Sequence, residues 1–138
     1  MKTKADLNQY QRLAARTLPD SAQSFGQVKG GDVNTHLLVH GALKLAGEAG
    51  EVADLVGKWY GQGHDLDRDE LIDELGDVLW HLAEVCTALR VDLGLVAYRN
   101  LRKLAARYPG EGFEVERSLN RSEQHTAFIA ELESSSDG

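Results

Sequence analysis

Two acidic pairs interrupt the apolar stripes of two long helical stretches, and any fold of this chain has to accommodate them. They are Glu48-Ala-Gly-Glu51 and Glu74-Leu-Gly-Asp77, separated by a glycine-containing turn. Residues three apart on a helix share a face, with Cβ atoms about 5–6 Å apart, so each pair presents both carboxylates on one side. In the first stretch Leu38, Ala42, Leu45, Val52, Leu55 and Trp59 recur at helical spacing, and Glu48 fills the gap between Leu45 and Val52. In the second, Leu71, Leu75, Val78, Leu82, Cys86 and Leu89 form the stripe, with Glu74 on it and Asp77 on its flank. An inward carboxylate needs a partner, and neither pair has an obvious local neutraliser. Four carboxylates converging across a helical hairpin repel unless a hard divalent cation compensates them. Oxygen-only donors select magnesium, manganese or calcium over zinc or copper. With 22 Asp and Glu in the chain, solvated or salt-bridged surface carboxylates are the alternative. Gly47, Gly50 and Gly76 beside the motifs each cost a helix about 0.5–1 kcal/mol relative to alanine, which predicts close approach of backbone or ligand there.

Helical periodicity dominates and no alternating strand pattern stands out, so the predicted fold is all-α. A short helix is expected over Leu7 to Thr17, ended by Pro19. The stretch 18–33 carries Pro19, Gly26, Gly30 and Gly31 without a period and reads as a mobile connection, either a lid or a plain linker. A long helix follows over 34–59, then a turn, then a helix to Leu89 opened by a capping box of Asp67 and Glu70. Further helices are predicted over 92–108, stopped by Pro109-Gly110, and more weakly over 122–132. Residues 1–133 read as a single domain and 134–138 as a disordered tail. A helix over 34–59 is about 39 Å long, more than a compact domain of this size spans. With Val52, Val56, Val78, Leu79 and Leu82 on more than one side of the central helices, the expectation is a homodimer or dimer of dimers in which two hairpins build a four-helix core.

The net charge of −7 argues against a nucleic-acid partner. Cys86 is the only cysteine, so no intrachain disulfide can form, and it lies on an apolar stripe. No apolar run approaches the ~20 residues of a membrane span and no signal-peptide pattern opens the chain, so a soluble, cytoplasmic protein is expected. His36 and His40 have the i,i+4 spacing of a zinc chelate, and His64-Asp65 is a pairing used by another all-α phosphohydrolase class. The alternative for both is a solvated histidine of a helix or turn. A di-iron bundle would want Glu-x-x-His pairs, which the chain lacks at these motifs.

The run Gly41-Ala-Leu-Lys-Leu-Ala-Gly-Glu-Ala-Gly-Glu-Val-Ala-Asp, followed by Asp73-Glu-Leu-Gly-Asp-Val-Leu-Trp, resembles the MazG-like, all-α nucleoside triphosphate pyrophosphohydrolases. Their Glu-x-x-Glu, spacer, Glu-x-x-Asp pattern is present in order, and Asn100-Leu-Arg-Lys103-Leu-Ala-Ala-Arg107-Tyr108-Pro109 is similar to their next helix. The resemblance extends over about residues 7–121 and is to the short, single-domain bacterial and phage members.

The resemblance implies magnesium-dependent hydrolysis, with manganese as a substitute, between the α and β phosphates of a nucleoside triphosphate, giving monophosphate and pyrophosphate in nucleotide-pool housecleaning. Glu48, Glu51, Glu74 and Asp77 would hold the metal, with one of them accepting a proton from the attacking water. Some relatives carry a further glutamate just before the first motif residue; Gly47 excludes a base there. Asn100, Lys103 and Arg107 would bind phosphate, Lys58 is a further candidate for it, and Trp80 would stack on the base. Without the resemblance these are a solvated basic face, a helix-end lysine and a packing indole. A different metal-dependent phosphohydrolase and a non-catalytic helical dimerisation module are the competing classes.

Overall fold

The computed structural model describes residues 6–18, 25–109 and the single positions 115, 126 and 130. Its elements are α1 (Leu7–Ala15), β1 (Phe25–Val28), β2 (Gly31–Asn34), α2 (Thr35–Gln62), α3 (Arg68–Ala88) and α4 (Leu93–Arg107). The expected helix over 122–132 and the serine-rich tail lie outside the described residues. The chain divides into two units, Met1–Gly94 and Leu95–Gly138, and the centre below belongs to the first.

Side-chain caps fix where these helices begin. Asp6 accepts from the Asn8 amide at 2.9 Å and Asn34 from the Leu37 amide at 3.1 Å. Asp67 accepts from the Asp69 and Glu70 amides at 2.9 and 3.1 Å, which is the expected start of α3. Each such cap satisfies amides with no partner inside the helix and contributes about 1 kcal/mol.

The region predicted as an aperiodic connection instead contains a two-stranded antiparallel hairpin, with Phe25 opposite Asn34 and Val28 opposite Gly31. Gly30 and Gly31 adopt φ of 102° and 144°, values that residues with a Cβ rarely reach, so the glycines that suggested looseness in the sequence make the tight turn. Four-residue strands are too short to show alternation above background. Val33 is the buried member of β2.

The remaining first-unit architecture is an α2/α3 antiparallel hairpin with α1 laid on α3. Ala83, Cys86 and Leu93 form the buried cluster, and Tyr10, Ala14, Leu79, Leu82 and Val91 pack on it. Gln11 of α1, itself buried, ties the end of this unit together. Its Oε1 accepts from the Leu93 amide at 2.7 Å and its Nε2 donates to the Val91 carbonyl at 2.9 Å, while Asn8 Oδ1 accepts from the Gly94 amide at 2.8 Å. These bonds satisfy amides that open α4, where an unpaired buried donor would cost about 1–3 kcal/mol.

The inward faces of α2 and α3 differ in detail from the predicted stripes. On α2, Leu37 and Gly41 are buried and Leu45, Glu48, Val52 and Leu55 half-buried, whereas Ala42 and Trp59 are exposed. On α3 the inward run is Leu71, Glu74, Val78, His81, Val85 and Ala88, with Leu75 and Leu89 exposed. Polar and small residues occupy inward positions that a search for large apolar side chains passes over. Among the described residues no helix is long and apolar enough to cross a membrane.

Candidate metal centre

Antiparallel packing brings the two acidic motifs together in mid-hairpin. A carboxylate oxygen from each of Glu48, Glu74 and Asp77 lies within 4.8 Å of the others, with Glu48 and Glu74 half-buried and Asp77 exposed. Glu51 is exposed and stands outside this set. It is still close enough to contribute to the field at Glu74, whose pKa is raised first by burial and then by the charges of Asp77, Glu51, Glu48 and Glu70. Glu74 is therefore a carboxylate whose ionised form is penalised until something positive arrives.

The expectation that neither pair has a local neutraliser is corrected for Glu48. Lys44, one turn earlier on α2, sits 2.9 Å from it and holds its pKa below the usual carboxylate range. An i,i+4 pair of this kind leaves Glu74 and Asp77 uncompensated. Tyr10 of α1 borders the same field: burial and then the Asp77 charge push its hydroxyl pKa up. The expectation of close approach at the motif glycines also fails within the chain. A Cβ at Gly47, Gly50 or Gly76 would meet nothing within 4 Å, so these positions keep open space beside the carboxylates.

A second polar group adjoins the first. Glu84, only 2% exposed, has His40 Nδ1 2.8 Å from Oε1 and His81 Nδ1 2.8 Å from Oε2. The other nitrogen of His81 lies 3.7 Å from Glu48 Oε1, so one imidazole stands between the two carboxylates. Sequence reasoning passed over His81, Glu84 and Lys44, although Glu74, Asp77, His81 and Glu84 follow one another at spacings of three, four and three along a single helical face.

Of the other candidates, Trp80 donates its indole N–H to Thr17 Oγ1 at 2.9 Å and meets His81 edge-on at 4.6 Å between ring centres. It fastens the end of α1 to α3. Lys58 is paired with Asp54. Its pKa is raised chiefly by that partner, and both side chains stay in solvent near the helix end, as expected for Lys58. Asn100, Lys103 and Arg107 sit at i, i+3 and i+7 of α4, in the run that crosses into the second unit, with Asn100 exposed and the other two half-buried. His36 stacks on His40 at 6.3 Å, but His40 is joined by His81 and Glu84, and not by His36, in a set of possible ligands. His64 is exposed in the turn before α3.

An all-oxygen set of three converging carboxylates fits a hard divalent ion. It can bind a cation, and through it phosphate oxygens. The family model described as the MazG nucleotide pyrophosphohydrolase domain matches residues 39–111, more than half of the chain and a range that takes in both acidic motifs. Gene 37 protein of Mycobacterium phage L5 is 42% identical over 69 residues, which is 47% of this chain and 60% of that protein. The chain thus matches about three-fifths of the length of that curated relative. No solved structure matches.

Proposed function

The chain belongs to the MazG nucleotide pyrophosphohydrolase domain family, and we propose that it hydrolyses a nucleoside triphosphate between the α and β phosphates with magnesium as cofactor. The observation that carries this reading is the convergence of Glu48, Glu74 and Asp77 within 4.8 Å, with a raised pKa at Glu74. Those three carboxylates would hold the ion, and Glu51, at the rim, would complete its shell or orient water. Bound magnesium would supply charge neutralisation for the phosphate oxygens and acidify water. Asn100, Lys103 and Arg107 bind phosphate oxygens in this proposal, Arg107 suiting a forked contact and Lys103 a point charge. Lys58 would have to leave Asp54 to join them, so its part is the smallest. Trp80, its N–H committed to Thr17, would offer a base only a ring face.

The assembly proposed with this function is a homodimer or dimer of dimers. Leu43 is 71% exposed, Tyr60 86% and Leu75 50%, an apolar set on the outer sides of α2 and α3 that a second hairpin would cover. Nucleotide-pool housecleaning is the role such a reaction serves.

Incubation with a panel of canonical and modified triphosphates and magnesium, with monophosphate, diphosphate, pyrophosphate and orthophosphate quantified separately, tests the reaction. Monophosphate and pyrophosphate in equal amounts are expected, and turnover should vanish in Glu51→Gln and Asp77→Asn. Diphosphate and orthophosphate would place the cleavage elsewhere, and no turnover across the panel would favour a non-catalytic module.

A further inference from the structure

Buried Glu84 is served by two imidazoles from two different helices, and the packing around it is specialised. Gly41 of α2 lies against it: a Cβ there would stand 3.2 Å from both Glu84 Cγ and Oε2 and 3.0 Å from Val85 Cγ2. Helix α2 thus places a glycine, an unfavourable helix residue, where it must come close enough to α3 for this carboxylate to fit between His40 and His81. Donor atoms of His40, His81 and Glu84 all lie within 4.8 Å of one another. Two imidazoles and one carboxylate are a donor set of borderline first-row ions, zinc above all, and not of magnesium, which the all-oxygen set beside it suits.

The setting of His81 suits such an ion. Its Nδ1 lies 2.8 Å from Glu84 and its Nε2 3.7 Å from Glu48, beyond a hydrogen bond, so the ring stands between two carboxylates. An ion on Nδ1 takes the lone pair there and leaves the proton on Nε2, directed at Glu48. Metal-bound histidines characteristically present their second N–H to a carboxylate in this way. Bonds of about 2.0–2.1 Å in a tetrahedron separate ligand atoms by about 3.3 Å, a spacing to which donor atoms now within 4.8 Å of one another can adjust. His40, with a side chain 41% exposed, gives an ion both an entry path and room for a solvent ligand.

We propose that His40, His81 and Glu84 form a zinc site that clips α2 to α3 beside the carboxylate centre. The test is calorimetric titration of zinc chloride into the full chain held in excess magnesium. One tightly bound zinc per chain is expected, unchanged in Asp77→Asn and weakened at least about 100-fold in His40→Ala, the loss that even outer-shell changes can reach. Circular dichroism verifies that His40→Ala folds. Cobalt(II) provides a measurement on the wild type alone: the visible absorption of a low-coordinate nitrogen and oxygen site is expected. Zinc that magnesium displaces, zinc binding indifferent to His40→Ala, or the pale spectrum of an octahedral all-oxygen ion would each overturn the assignment. None of these readouts involves turnover, so the proposal and the hydrolase reading fail separately.

Discussion

Replacing Glu84 measures how much of this fold rests on a buried carboxylate. The side chain is wholly enclosed and makes two 2.8 Å contacts, one to half-exposed His40 and one to buried His81. Glu84→Gln keeps the shape. Its amide oxygen can accept from one ring and its NH2 can donate to the other, because His40 is open enough to change tautomer. The cost is then the difference between charge-assisted bonds of about 1.5–3 kcal/mol and neutral ones of about 0.5–1.5, close to 2 kcal/mol over two contacts. Glu84→Ala removes both contacts, leaves the His81 nitrogen unsatisfied and opens a void, which raises the loss to about 3–5 kcal/mol. His40→Ala, at a residue that water can reach, should cost only about 1 kcal/mol. For a chain of this length about 2 kcal/mol corresponds to a Tm decrease of about 7 °C. Urea unfolding followed by circular dichroism in chelator, so that no bound ion contributes, gives the order wild type, His40→Ala, Glu84→Gln, Glu84→Ala. A Glu84→Gln protein as stable as wild type would refute the reasoning, because desolvating the carboxylate would then cost as much as the histidines return.

Other outcomes follow from the same geometry. Without metal, Glu74→Gln should stabilise the protein at neutral pH. Glu74 has a folded pKa raised above its ordinary 4.5, so the stability its protonated form allows is complete below that value and is lost as pH rises through the folded pKa. The difference between variant and wild type should therefore vanish in acid and shrink on adding magnesium, and paired thermal melts across pH would show a flat difference if the reasoning is wrong. Glu48, its pKa lowered by Lys44, works in the opposite sense, and Lys44→Met should make acid unfolding begin at higher pH. Leu43→Asp or Leu75→Asp should leave a helical chain that runs as a monomer in gel filtration with light scattering, and a wild type that is already monomeric would refute the dimer. The buried Cys86 thiol, its pKa raised by desolvation, should react with a disulfide reagent only at the rate of unfolding, and fast labelling of native protein would contradict its enclosure.

Much of the centre was legible in one dimension because it is written in helical period. The Glu-x-x-Glu and Glu-x-x-Asp spacings put carboxylates on one face, and Asp67 announced the start of α3, since caps and periodicity are local properties of the backbone. What sequence could not fix is which carboxylates meet. Glu48, Glu74 and Asp77 converge while Glu51 stays at the rim, a distinction set by the rotation of α2 against α3. Side-chain fit belongs to the same packing, as where Gly41 leaves room for Glu84. The pairing of His40 with His81, 41 positions away in the chain, and not with its i,i+4 neighbour His36, is tertiary for the same reason. The hairpin at Gly30 and Gly31 escaped because four-residue strands are stabilised by their cross-strand partner and carry too little pattern of their own. The chain alone determined its helices and the oxygen-rich face each one presents; the depth at which each carboxylate is buried, and hence whose ionised form is penalised, came only from the packing of one helix on another, because desolvation depends on neighbours that sequence does not place.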